Sequence, residues 1–132
     1  MLSLTLPAEP HAAAMARKHV HGLPLDPETR DTVALLVTEL ITNAMRHAPT
    51  SPDSGIEVRV SGDDEAVRVD VVNDGPGFNW RRRAAEPTQP GGLGLVLVDR
   101  LAERWGIVGG EETRVWLEVP RRHDTQERLA SH

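Results

Sequence analysis

Glu39, Asn43 and His47 recur every four residues, the spacing that lines side chains along one side of a helix. Leu36, Leu40 and Ala44 flank that line. The pattern is either a polar stripe on a solvent face or a working row. Asparagine is a mediocre helix former, yet Asn43 stands mid-helix among apolar residues, which favours the second. A carboxylate one turn from a carboxamide offers hard oxygens of the kind Mg2+ accepts. The same carboxylate could orient and deprotonate an attacking hydroxyl or water. A second set, Asn73-Asp74-Gly75-Pro76-Gly77-Phe78, directly follows an apolar alternating stretch, Val67–Val72. Two glycines around a proline let backbone approach a flat or phosphorylated ligand, although the same residues would also make a plain tight turn. A third, Gly91-Gly92-Leu93-Gly94-Leu95, stands just before a helical pattern. Its N–H groups and the positive end of the helix dipole could receive an anion. No Lys-Ser/Thr follows and no strand precedes, so it is neither a Walker A loop nor a dinucleotide fingerprint.

These residues need elements to hold them. Residues 8–21 favour a helix that Gly22 can end. Asp26 is a good N-cap, Pro27 a good first residue and Glu28 complements the dipole of a long helix reaching about Ala48. Along it Val33, Leu36, Val37, Leu40, Ile41 and Ala44 keep helical spacing. Ile56, Val58 and Val60, then Val67, Val69 and Val71, alternate with period two around Ser61–Glu65, which predicts a hairpin. Residues 73–92 read as an irregular loop, and loops that long in a compact domain usually serve function. Helical spacing returns from Leu93 to Trp105, with Gly106 as its stop. Ile107-Val108 and Val115–Val119 read as strands, Trp105 and Trp116 as core anchors, and the polar tail from Arg121 as frayed. The expected order is helix, long helix, two strands, glycine loop, helix, two strands. It predicts an α+β two-layer sandwich with helices on one face of the sheet. Residues 1–120 form one domain, and 121–132 a polar tail.

Composition narrows the function classes. The chain has 132 residues, 39% of them hydrophobic, enough for one core. There is no cysteine, which excludes disulfides, thiolate metal sites and thiol nucleophiles. A net charge of −5 argues against nucleic acid as a partner, and Arg81-Arg82-Arg83 is read as a solvated loop run. No apolar stretch is long enough to span a bilayer, Met1–Leu6 lacks the marks of a signal peptide, and a cytoplasmic protein is expected. His19 and His21 have no third ligand in the sequence nearby and are read as a helix end.

Taken together the three sets are more specific than their parts. Glu39-Leu-Ile-Thr-Asn43-Ala44, Asn73-x-Gly75-x-Gly77 and Gly92-Leu-Gly94-Leu, in this order, resemble the N, G1 and G2 boxes of the GHKL (Bergerat-fold) ATPase superfamily. The flanks Leu35–Ala48 and Gly94–Gly106, with Thr113-x-Val115-Trp116 and Pro120, resemble its stand-alone anti-sigma-factor serine/threonine kinase branch over roughly residues 10–120. The resemblance implies ATP and Mg2+ as cofactors. Glu39 would be the general base and Asn43 the Mg2+ ligand. Asn73, Gly75, Gly77 and Thr113 would form the adenine pocket. Gly92 and Gly94 would bring lid backbone to the phosphates, and His47, Leu93 and Leu95 would complete the nucleotide contacts. Phosphoryl transfer relies mainly on positioning and charge stabilisation, so this sparse set suffices. The implied partners are a sigma factor and an anti-anti-sigma antagonist, with a homodimer as the assembly.

Two positions depart from the pattern. The first G1 residue is usually an Asp accepting a hydrogen bond from the adenine amino group, and here it is Asn73. A neutral acceptor weakens that bond by ~1 kcal/mol, or about fivefold. Pro90 replaces a common first glycine of G2. The alternative is therefore a non-catalytic protein-binding switch with weak or lost nucleotide binding. A sensor histidine kinase is disfavoured because 38 residues before Glu39 leave no room for a dimerising hairpin.

Overall fold

The computed structural model describes residues 1–47, 55–74, 93–109 and 112–121. The chain begins with a strand, β1 (Leu2–Pro7), followed by α1 (Ala12–His21) and α2 (Pro27–His47). The hairpin β2 (Gly55–Gly62) and β3 (Ala66–Asp74) comes next, then α3 (Leu93–Leu101), β4 (Arg104–Val108) and β5 (Glu112–Pro120). The five strands form one antiparallel sheet in the order β1-β2-β3-β5-β4. α1 packs on β1 and α2, α2 lies across β3 and β5, and α3 packs on α2 and β4. This is the expected α+β sandwich.

The long helix starts where its chemistry requires. Asp26 accepts hydrogen bonds from the backbone N–H of Thr29, at 3.2 Å, and from the Thr29 hydroxyl. That satisfies an N–H with no partner inside the helix. All six apolar positions that set its periodicity are fully buried. They meet a sheet face of Ile56, Val58 and Val60 from β2, Val67, Val69 and Val71 from β3, and Val115, Leu117 and Val119 from β5. The opposite face carries charge. Asp70, buried, accepts from Arg68 at 3.1 Å and from Arg114 at 3.2 Å. The Arg68 guanidinium lies 4.7 Å from the centre of the Trp116 ring, a cation–π distance.

Five expectations are corrected. β1 was not anticipated, although Leu2, Leu4 and Leu6 alternate; it pairs with β2 from Leu2↔Val60 to Pro7↔Gly55. α3 ends at Leu101 rather than Trp105, because residues 104–108 find an edge on β5, and backbone pairing there outweighs continuation of the helical pattern. Gly106 is consequently not a helix stop but a mid-strand residue opposite Trp116. A Cβ at 106 would lie 2.8 Å from the Trp116 Nε1, so only glycine lets the ring rest on that backbone. Trp116 stands on the charged face of the sheet, away from the core, whereas Trp105 packs against the core from β4 and donates to Asp99 at 3.1 Å. Finally, Arg121 is pinned rather than frayed: its backbone N–H donates to the Glu65 carbonyl and its guanidinium to the carbonyls of Asp63 and Pro24. The tail 122–132 lies outside the described residues, as do Arg81–Arg83 and Pro90.

The β2–β3 turn makes a pH-dependent contribution. The Asp63 carboxylate accepts from the backbone N–H groups of Glu65, at 2.8 Å, and Ala66, at 2.9 Å. These bonds hold its pKa below the ordinary 3.8. A pKa lowered by folding contributes stability that is complete above the unfolded value and lost as pH falls through the folded one. Thermal melts should therefore show wild type above Asp63→Ala by a constant margin at pH 5 and above, with the margin closing below pH about 3.8. A margin that does not narrow as pH falls below about 3.8 would contradict the charge-assisted origin.

Candidate functional site

The sheet ends in a polar row. Asn73 on β3 pairs in register with Ile56 on one side and Thr113 on the other. Directly opposed residues of antiparallel strands share a face, and this is the face of Val71, Val115 and Val58, hence the helix-covered one. Asn73 is 1% exposed and Thr113 5%. Neither Oδ1 nor Nδ2 of Asn73 finds a hydrogen-bond partner among the described residues. Leaving such a group unpaired costs ~1–3 kcal/mol, and native proteins keep few of them. A buried, unsatisfied amide at the head of a sheet has a donor and an acceptor to offer a ligand that carries both. Asn73, expected in the loop, instead belongs to β3: β2 pairs with that strand as far as Asn73 and β5 as far as Asp74.

The direction of α2 decides which of its residues belong to this end. Arg121 ties the Pro24 carbonyl, just before α2, to Asp63 in the β2–β3 turn. α2 thus starts at the turn end of the sheet and packs along β3 and β5. Asn43 lies 16 residues beyond Pro27, a rise of ~24 Å at 1.5 Å per residue. Asn73 lies seven residues beyond Ala66, an advance of ~23 Å at 3.3 Å per residue. Helix and strand advance equally, so a helix laid alongside β3 from that start would bring its second half level with the Asn73 row.

On that half of α2, Asn43 is 5% exposed and Glu39 half-buried. The Asn43 amide nitrogen donates to the Glu39 carbonyl oxygen at 2.9 Å. This bond fixes the side chain and uses its donor side, which leaves Oδ1, an acceptor with two lone pairs, for a cation. The oxygen chemistry fits Mg2+. His47 is the last residue of α2. Leu93, Gly94 and Leu95 form the first turn of α3, whose N-terminal N–H groups are unpaired within the helix. Gly75, Gly77 and Gly92 lie outside the described residues. Among the described residues no cluster of three or more His, Cys, Asp or Glu side chains gathers, so a cation here would rest on few protein ligands. That Ile56 is the apolar neighbour of Asn73 follows only from the strand register.

Residues 6–119 match the family model of the histidine kinase-like ATPase domain. The chain belongs to this family. The histidine kinase-like ATPase domain here is 28% identical over 118 residues to the serine-protein kinase RsbW of Listeria monocytogenes, covering 77% of this chain and 75% of that one. Among solved structures, the histidine kinase domain of a blue-light-activated histidine kinase from Erythrobacter litoralis superposes with a TM-score of 0.57 at 29% identity, over 82% of this chain and 57% of that one. A Mycobacterium tuberculosis protein with RsbU and RsbW domains superposes with a TM-score of 0.61 at 22% identity, over 94% of this chain and 34% of that one, and shares the fold. ATP is the nucleotide that membership of this ATPase family implies. No described helix is long and apolar enough to cross a membrane.

Proposed function

We propose that the protein is an ATP-dependent partner-switching regulator of the RsbW kind, a Mg2+-dependent serine/threonine kinase acting on an anti-anti-sigma antagonist and sequestering a sigma factor. The observation that carries this reading is the buried amide of Asn73, unpartnered among the described residues and opposite Thr113 at the end of the sheet. Asn73 and Thr113 bind the adenine ring, with Gly75 and Gly77 shaping its pocket. Asn43 holds the cation through Oδ1, and His47 extends the nucleotide surface. Gly92, Leu93, Gly94 and Leu95 present backbone N–H groups to the phosphates. Glu39 accepts the proton of the attacking hydroxyl as general base. When bound, Mg2+ supplies positive charge that offsets the phosphate oxygens. A cytoplasmic location, a homodimeric assembly and the absence of nucleic-acid or membrane partners go with the same reading.

Calorimetric titration with Mg-ATP tests it: we expect saturable heat together with a raised melting temperature. Silence in both at millimolar nucleotide would favour a purely protein-binding switch. The neutral acceptor at Asn73 is the feature that supports that second reading.

A further inference from the structure

We propose that Asn73 makes the base site indifferent to the two purine edges, so that it takes 6-oxopurine nucleotides as readily as adenine nucleotides. The inference rests on the nucleotide-binding reading above and adds a selectivity to it. Adenine offers a donor at N6 and an acceptor at N1. Hypoxanthine and guanine offer the reverse, an acceptor at O6 and a donor at N1. A carboxamide has one acceptor side and one donor side. In one orientation Asn73 Oδ1 receives the N6 hydrogen and Nδ2 donates to N1; turned by half a revolution about its last torsion, it complements the other edge.

What decides whether an amide can turn is whether the protein holds it. Asn43 is held, with its nitrogen committed to the Glu39 carbonyl. Asn73 is not: both of its polar atoms are buried, and neither meets a partner among the described residues. Turning it breaks no hydrogen bond to the described residues. Its β2 neighbour in the row, Ile56, is apolar and imposes no polarity. A carboxylate facing position 6 accepts from the adenine amino group but has no hydrogen to give O6 and repels it; such a repulsive element is a common source of discrimination.

The test is calorimetry with Mg-ATP and Mg-ITP, which differ only at this edge, on wild type and Asn73→Asp. Wild type should bind the two within about threefold of each other, and Asn73→Asp should prefer ATP by at least about tenfold. Should Asn73→Asp fail to fold by circular dichroism, the wild-type ratio alone decides. Wild type that binds ATP but rejects ITP more than about tenfold overturns the inference and leaves nucleotide binding intact. Binding of neither nucleotide removes the underlying reading, and the inference with it.

Discussion

Replacing Glu39 with alanine should lower phosphoryl transfer to an anti-anti-sigma protein by about 10²–10⁴-fold, or ~3–5 kcal/mol in the barrier, the range that a positioned general base supplies. Nucleotide affinity should change by less than about twofold, because the proposed role of Glu39 concerns the attacking hydroxyl and not the bound phosphates. The fold should tolerate the change. Glu39 is only half-buried, and alanine is the best helix former. Asn43 bonds to the Glu39 backbone carbonyl, not to its side chain, so its geometry survives. Transfer of labelled γ-phosphate and a parallel Mg-ATP titration would measure both effects. Glu39→Gln, which keeps the shape and removes the base, should behave like alanine. A variant that transfers at the wild-type rate means that the base lies elsewhere.

The second large effect concerns Asn43→Ala. Wild type should bind ATP more tightly with Mg2+ than with a chelator, by about 10- to 100-fold, and the variant should lose most of that difference. The side chain is nearly buried, its nitrogen is used by the Glu39 carbonyl, and Oδ1 is the one atom it has left for a cation. Removing it opens no large cavity and leaves the helical backbone bonds in place, so a melting curve should show α2 intact. Titrations with and without EDTA decide the matter. An undiminished Mg2+ effect in Asn43→Ala would transfer the ligand role to another group.

Much of this protein is legible from residue order because its signals are local. The cap Asp26 and the stripe Val33 to Ala44 mark α2 almost to the residue, since capping and helical spacing are satisfied within a few turns. The β2–β3 hairpin is equally plain, because its alternation and its turn are contiguous. Where sequence reading failed, the competing partner was distant. Trp105 continues the helical pattern of Leu97 and Leu101, but a vacant edge on β5 draws it into a strand. Leu2–Pro7 is short enough to pass for a tail until β2 pairs with it.

The site divides the same way. Residue order alone set Glu39 and Asn43 one helical turn apart and Asn73 at the end of an alternating stretch, and the resemblance to the GHKL boxes implied that these residues and Thr113 form a phosphoryl-transfer site in which Asn73 stands where an Asp is usual. Only the tertiary structure decided that Asn73 and Thr113 are opposed on adjacent strands, that α2 starts beside the β2–β3 turn, and that the Asn73 amide is buried without a partner among the described residues while that of Asn43 is held. The physical reason is that sequence specifies which donors and acceptors a side chain owns. Which of them are already satisfied depends on neighbours that may be 40 residues away along the chain and one strand away in space, as Asn73 and Thr113 are.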